Sequence, residues 1–131
     1  MKRRSLLTLS AGLLAGSLTV SGLAVADAKD YVLTTASTGG TYHPVGTAIA
    51  TLPKVKLLPK QKFSLTAVNS AGSGANVQAM GAGTADFAIL QGLFGSYAAT
   101  GTGPVSAPQE NLRSVTMLWQ NVEQFVVANS A

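Results

Sequence analysis

The chain has 131 residues, with nine Lys and Arg against five Asp and Glu, a formal net charge of +4, and no cysteine. Three of the nine cations, Lys2, Arg3 and Arg4, sit at the amino terminus, so the remainder is nearly neutral and lacks the clustered cations of a nucleic-acid surface. Without cysteine, disulfide stapling and lipid attachment through an N-terminal cysteine are both excluded.

Residues 6–25 are uncharged and rich in Leu, Val, Ala and Gly, and they run into the small-x-small tripeptide Ala24-Val25-Ala26. A basic start, an apolar run and such a site predict a secretory signal peptide cut after Ala26. Arg3-Arg4-Ser5-Leu6-Leu7 loosely has the form of a twin-arginine export signal. Left uncut, roughly 20 apolar residues would be long enough to anchor in a bilayer. Residues 27–131 then form one domain outside the cytoplasmic membrane, with six basic against five acidic residues.

Tyr31-Val32-Leu33-Thr34-Thr35 is a β-branched and aromatic run that ends at Ser37-Thr38-Gly39-Gly40, as a first strand entering a glycine-rich turn would. Val45, Ala48, Ile49 and Leu52 fall on one helical face, with Pro44 in the first turn and Pro53 as a stop. Residues 54–62 read as a lysine-rich connector, and residues 63–68 as a half-buried second strand. Ser73 is placed to cap a helix carrying Val77 and Met80 that Gly81 and Gly83 end. Residues 86–90 predict a buried third strand, and Leu93, Phe94, Tyr97 and Ala98 a third helix. Residues 100–108 read as loop, and residues 112–119 and 124–128 as two further strands joined by a polar turn. Alternating strands and helices imply an α/β fold, with a mostly parallel sheet flanked by helices and right-handed crossovers.

Ligands of such sheets bind outside the carboxyl ends of the strands, where three turns fall here. Residues 37–44 bring adjacent glycines to a helix start, so backbone N–H groups can approach an anion. Residues 70–76 repeat this with two hydroxyls and an amide, and Gln91-Gly92 adds a side-chain amide. Small polar residues of this kind also simply make good turns and caps.

Other chemistries lack their parts. Gly72-x-Gly74-x-x-Val77 misses the last glycine of a dinucleotide fingerprint, and no glycine-rich loop leads into Lys-Ser or Lys-Thr. A metal site would rest on one imidazole, His43, and scattered carboxylates. A hydrolytic triad of His43, a serine and Asp30 or Asp86 has no nucleophile elbow to fix it. No metal, cofactor or catalytic residue is therefore expected, and His43 reads as a helix-start residue within reach of a ligand. Lys54, Lys56, Lys60 and Lys62 form a positive patch, either a solvated connector or a docking surface. Tyr42 and Tyr97 carry polar handles suited to a pocket, and Trp119 and Phe87 read as core. Arg113 starts a predicted strand, far from a clamp at the strand ends.

Four blocks in order carry a resemblance. They are Thr38-Gly39-Gly40-Thr41-Tyr42-His43-Pro44-Val45-Gly46, Asn69-Ser70-Ala71-Gly72-Ser73-Gly74-Ala75-Asn76-Val77, Gly83-Thr84-Ala85-Asp86-Phe87-Ala88-Ile89-Leu90-Gln91 and Glu110-Asn111-Leu112-Arg113-Ser114-Val115. Over residues 30–128 the sequence resembles the TAXI family of solute receptors, the extracytoplasmic binding subunits of tripartite ATP-independent periplasmic (TRAP) transporters. The resemblance implies a lobe like those of type II periplasmic binding proteins, in which two α/β lobes close on a small organic acid such as glutamate. It implies transporter membrane subunits as partners, a periplasmic location and no enzymatic activity. Ser37, Thr38, Gly39, Gly40, Thr41, Tyr42, Ser70, Ser73, Gly74, Asn76 and Gln91 are the ligand-facing positions it implies. His43 stands where relatives usually carry tyrosine. The chain resembles such a receptor truncated to its first lobe, with the second lobe missing. An ABC-type binding protein or a sensor lobe would share the fold, and a small secreted hydrolase using His43 is the alternative of another class.

Overall fold

A computed structural model describes residues 27–122 and 124–129; the predicted signal peptide, residues 1–26, lies outside the described residues. Seven elements follow one another: β1 (Lys29–Thr34), α1 (Tyr42–Lys56), α2 (Leu58–Gln61), β2 (Phe63–Val68), α3 (Ser73–Gly81), β3 (Phe87–Ala88) and α4 (Gly92–Thr100). The three strands form one parallel sheet in the order β2-β1-β3. The α/β fold with a parallel sheet flanked by helices is therefore present, and every carboxyl end lies on the same edge.

Alternation along the strands divides the apolar residues between two clusters. Leu33 of β1, Leu65 of β2, Ile89 just after β3 and Ala50 of α1 form the first, with Tyr31, Phe63 and Phe87 packed on it. The Tyr31 ring lies 4.8 Å from Phe63 and 6.0 Å from Phe87, an aromatic row across all three strands. Such contacts add about 0.5–1.5 kcal/mol each beyond the area they bury. Leu90, one residue beyond Ile89, turns to the second cluster, with Val77 of α3, Ala98 of α4 and Val105. Helices thus pack against both faces of the sheet. Phe87 supports the core as expected.

α1 differs from its sequence reading in both length and phase. Its sheet-facing residues are Tyr42, Gly46, Ile49 and Ala50, whereas Ala48 and Leu52 face outward, Leu52 being 63% exposed. Small residues bury because the helix lies tight on β1, where a Cβ on Gly46 would overlap the Thr35 γ-methyl. Pro53 does not stop the helix. It sits one turn from the end, and Leu57 N–H donates to Pro53 O at 2.8 Å. The predicted connector consequently holds the last turn of α1 and all of α2.

Two other readings need correction. The α3 cap is Gly72, whose φ of 100° suits glycine alone, and Ser73 is the first helical residue. Residues 112–119 and 124–128 form no strand among the described residues; Val115, Met117 and Phe125 are largely exposed, and Trp119 is 39% exposed rather than core. A strand requires a ladder partner, and β3 itself pairs over only two residues. Backbone bonds from Asp86 N–H to Val32 O and Ile89 N–H to Thr34 O, each 3.0 Å, extend that alignment. Among the described residues no helix is long and apolar enough to cross a membrane.

Asp30 supplies a pH-dependent contribution at the amino edge of the sheet. Hydrogen bonds from the hydroxyls of Ser64 and Thr66 hold its carboxyl below the usual carboxylate range, aided by Lys54 and opposed by desolvation. The charged form is favoured in the folded state, so the stabilisation is present above about pH 4 and lost as pH falls through the folded-state value below it. Melting curves of wild type and Asp30→Asn should therefore differ at neutral pH and converge in acid; a gap that persists into acid would contradict this linkage.

Candidate functional site

β1, β2 and β3 each deliver the chain to the carboxyl edge and then into a helix. β1 lies in the middle, so the connection through α1 departs towards β2, while the connection through α3 returns across β1 to β3. That reversal leaves a crevice between the β1 and β3 ends, where open α/β sheets receive ligands. A cleft of about 410 Å³ opens there. Gly40, Thr41 and Tyr42 line it from the first turn, Ala71, Gly72, Ser73 and Gly74 from the second, and Gln91 from the third.

Three helices, α1, α3 and α4, begin on this cleft with their amino termini. The first N–H groups of a helix have no acceptor within it, and the aligned peptides leave a partial positive charge there. None of the three carries an acidic residue in its first turn, and among the described residues no charged side chain lines the cleft. Among the described residues, no carboxylate in the cleft lining offsets the attraction these termini exert on an anion.

Beneath the cleft a polar network ties the strand ends together. Asn76 is fully buried, and its Nδ2 donates to Thr35 O at 2.7 Å and Ile89 O at 2.8 Å. Its Oδ1 accepts from Ser70 Oγ at 2.6 Å, and Ser70 Oγ in turn accepts Gly72 N–H at 3.0 Å. Ser73 Oγ accepts Gln91 N–H at 3.0 Å, joining the second turn to the third. No buried side-chain polar atom among the described residues is left without a partner.

His43 belongs to the same framework. Thr35 Oγ1 donates its single proton to Val68 O at 2.7 Å, so it accepts from His43 Nδ1–H at 3.0 Å. Asp86 is engaged elsewhere, accepting Val32 N–H at 2.9 Å, and Asp30 accepts from Thr66. Among the described residues no carboxylate orients the imidazole and no triad is assembled. The described residues also hold no group of three or more His, Cys, Asp or Glu placed to bind a metal.

The positions singled out in the sequence thus divide into three groups. Gly40, Thr41, Tyr42, Ser73, Gly74 and Gln91 meet in the cleft. Ser37, Thr38 and Gly39 are exposed beside it, in a turn closed by Gly40 N–H on Ser37 O at 3.0 Å. Ser70 and Asn76 lie underneath as supports. Ala36, Phe94 and Asn121 also line the cleft and were not anticipated. The Trp119 ring meets Tyr42 edge-on at 5.7 Å, which brings residues 119–121 to the cleft mouth. Asn121 falls in the polar turn predicted between two strands, and nothing in the sequence ties that turn to the cleft.

A family model described as the NMT1-like family matches residues 33–131. A comparison with the curated proteins finds no match.

Proposed function

Because the chain belongs to the NMT1-like family, a family of periplasmic binding protein-like proteins, we propose that it is the ligand-receiving lobe of an extracytoplasmic solute receptor for a small organic acid. The observation that carries the reading is the convergence of three helix amino termini on one cleft with no charged side chain among its described lining residues. Gly40, Gly72 and Gly74 keep the approach to those N–H groups free of bulk, and Thr41, Ser73 and Gln91 supply hydroxyl and amide partners. In this reading residues 1–26 are the export signal and residues 27–131 the first of two lobes. A TRAP-type transporter, powered by an ion gradient, receives the solute, and a carboxylate such as glutamate is that solute. The lobe binds and performs no chemistry of its own.

Affinity follows from the exposure of the cleft. A helix terminus at a solvent-exposed site favours an anion by about 0.3–1 kcal/mol, so three supply at most about 3 kcal/mol. That places the dissociation constant at or above about 6 mM. Titrating the chain from Asp27 onward with glutamate, followed by amide NMR, should shift Gly72, Ser73, Gly74 and Gly92 and approach saturation only at millimolar ligand. Glutamate that leaves these amides unmoved would remove the cleft assignment, and micromolar saturation by the monomer would refute the energetic argument.

A further inference from the structure

All five lysines among the described residues lie at the edge of the sheet opposite the cleft. Lys29 opens β1, and its N–H donates to Lys62 O at 2.8 Å, just ahead of β2; Lys54 and Lys56 occupy the last turn of α1, and Lys60 lies in α2. Every one of them is exposed. Asp27, Asp30 and Asp86, which directly precedes β3, are the acidic residues described at this end; Asp30 is held by its hydroxyl partners and Asp86 accepts Val32 N–H. The local excess is therefore positive.

Beside the lysines runs an exposed apolar stripe, made of two residues that sequence periodicity assigned to the buried helix face, Ala48 and Leu52, and one that it placed in the connector, Val55. Ala48, Leu52 and Val55 follow one another at helical spacing on α1, all exposed, with Leu52 at 63% and Val55 at 61%. Apolar side chains projecting among lysines on one helical face are the composition of an interfacial surface, which inserts shallowly while its cations meet phosphate. The cations are all lysine. Mobile point charges suit a diffuse sheet of negative headgroups, whereas recognition of individual carboxylates favours the planar fork of arginine. Arg113, the arginine among the described residues, sits far along the chain and donates to the carbonyl of Leu112.

We infer that the face formed by the last turns of α1, by α2 and by Lys29 docks on an anionic phospholipid surface. Bound in this way, the lobe presents its opposite edge, with the cleft, to the aqueous side. The inference does not depend on the identity of the solute.

Co-sedimentation of the full chain with vesicles tests it, using phosphatidylcholine alone or mixed with phosphatidylglycerol. Residues 1–26 are common to every variant, so comparison among variants isolates the face. Each lysine near an anionic surface contributes about 1 kcal/mol, about fivefold in partition. The combined variant Lys54→Gln, Lys56→Gln, Lys60→Gln, Lys62→Gln should bind phosphatidylglycerol vesicles at least about tenfold more weakly than wild type. The corresponding four Lys→Arg changes should retain binding, which controls for folding, and Leu52→Ser with Val55→Ser should weaken binding while preserving its salt dependence. Equal partition of wild type and the glutamine variant, or no preference for phosphatidylglycerol in wild type, overturns the inference. Retention on polyglutamate without vesicle preference overturns it as well, in favour of an acidic protein partner.

Discussion

Asn76→Ala is expected to lower the unfolding free energy by about 2–4 kcal/mol, read from urea denaturation at neutral pH. The side chain is fully buried and occupies the point where β1, β3 and the turn after β2 meet. Truncation leaves Ile89 O without its donor, deprives Thr35 O of its shorter bond and frees the Ser70 hydroxyl from its 2.6 Å partner. An unmet buried polar group costs about 1–3 kcal/mol, and more than one is created here. Asn76→Asp should be worse still, because it sets an acceptor-only carboxylate against two carbonyl oxygens. Domains of this size have only about 5–15 kcal/mol in total, so either variant should fall well short of wild type in denaturant midpoint. A loss below 1 kcal/mol for Asn76→Ala would show that the strand ends are held by something else.

Gly46→Ala should destabilise by about 1–3 kcal/mol, against the trend for a helix interior, where alanine is normally the better residue by about 1 kcal/mol. The added Cβ would overlap the Thr35 γ-methyl, and Thr35 cannot retreat: it is fully buried, and its hydroxyl is committed to Val68 O and His43. Thr35→Ser removes the methyl and keeps the hydroxyl. In that background Gly46→Ala should become neutral or stabilising, giving a coupling of at least about 1 kcal/mol in a double-mutant cycle. Additive behaviour of the two changes would disprove the close approach of α1 to β1.

Much of the architecture was legible in the sequence because strands and turns announce themselves locally. β1 and β2 fall where β-branched and aromatic runs predict them, and α3 and α4 follow their glycine-rich turns. What failed was the phase of α1. Periodicity weights bulky apolar residues, but the buried face uses Gly46 and Ala50, because proximity to the sheet excludes anything larger than the space above Thr35 and Leu33. Residues 112–128 failed for a different reason, since alternation describes a strand's two faces and says nothing of whether a neighbour exists to pair with it. At the site, the convergence of Gly40, Ser73 and Gln91 followed from the parallel topology. The role of Asn76 did not, because an amide after a glycine-rich turn reads as a surface donor until its depth is known.

The placement of β1 at the middle of the sheet has a consequence for how the chain acquires its shape. Its pairings join residues 34 apart, Lys29 with Phe63, and 54 apart, Leu33 with Phe87. No hairpin forms early, and each ladder must close a sizeable loop before any contact rewards it. The first strand to leave the ribosome is therefore the last to be fully enclosed, and must await most of the following chain.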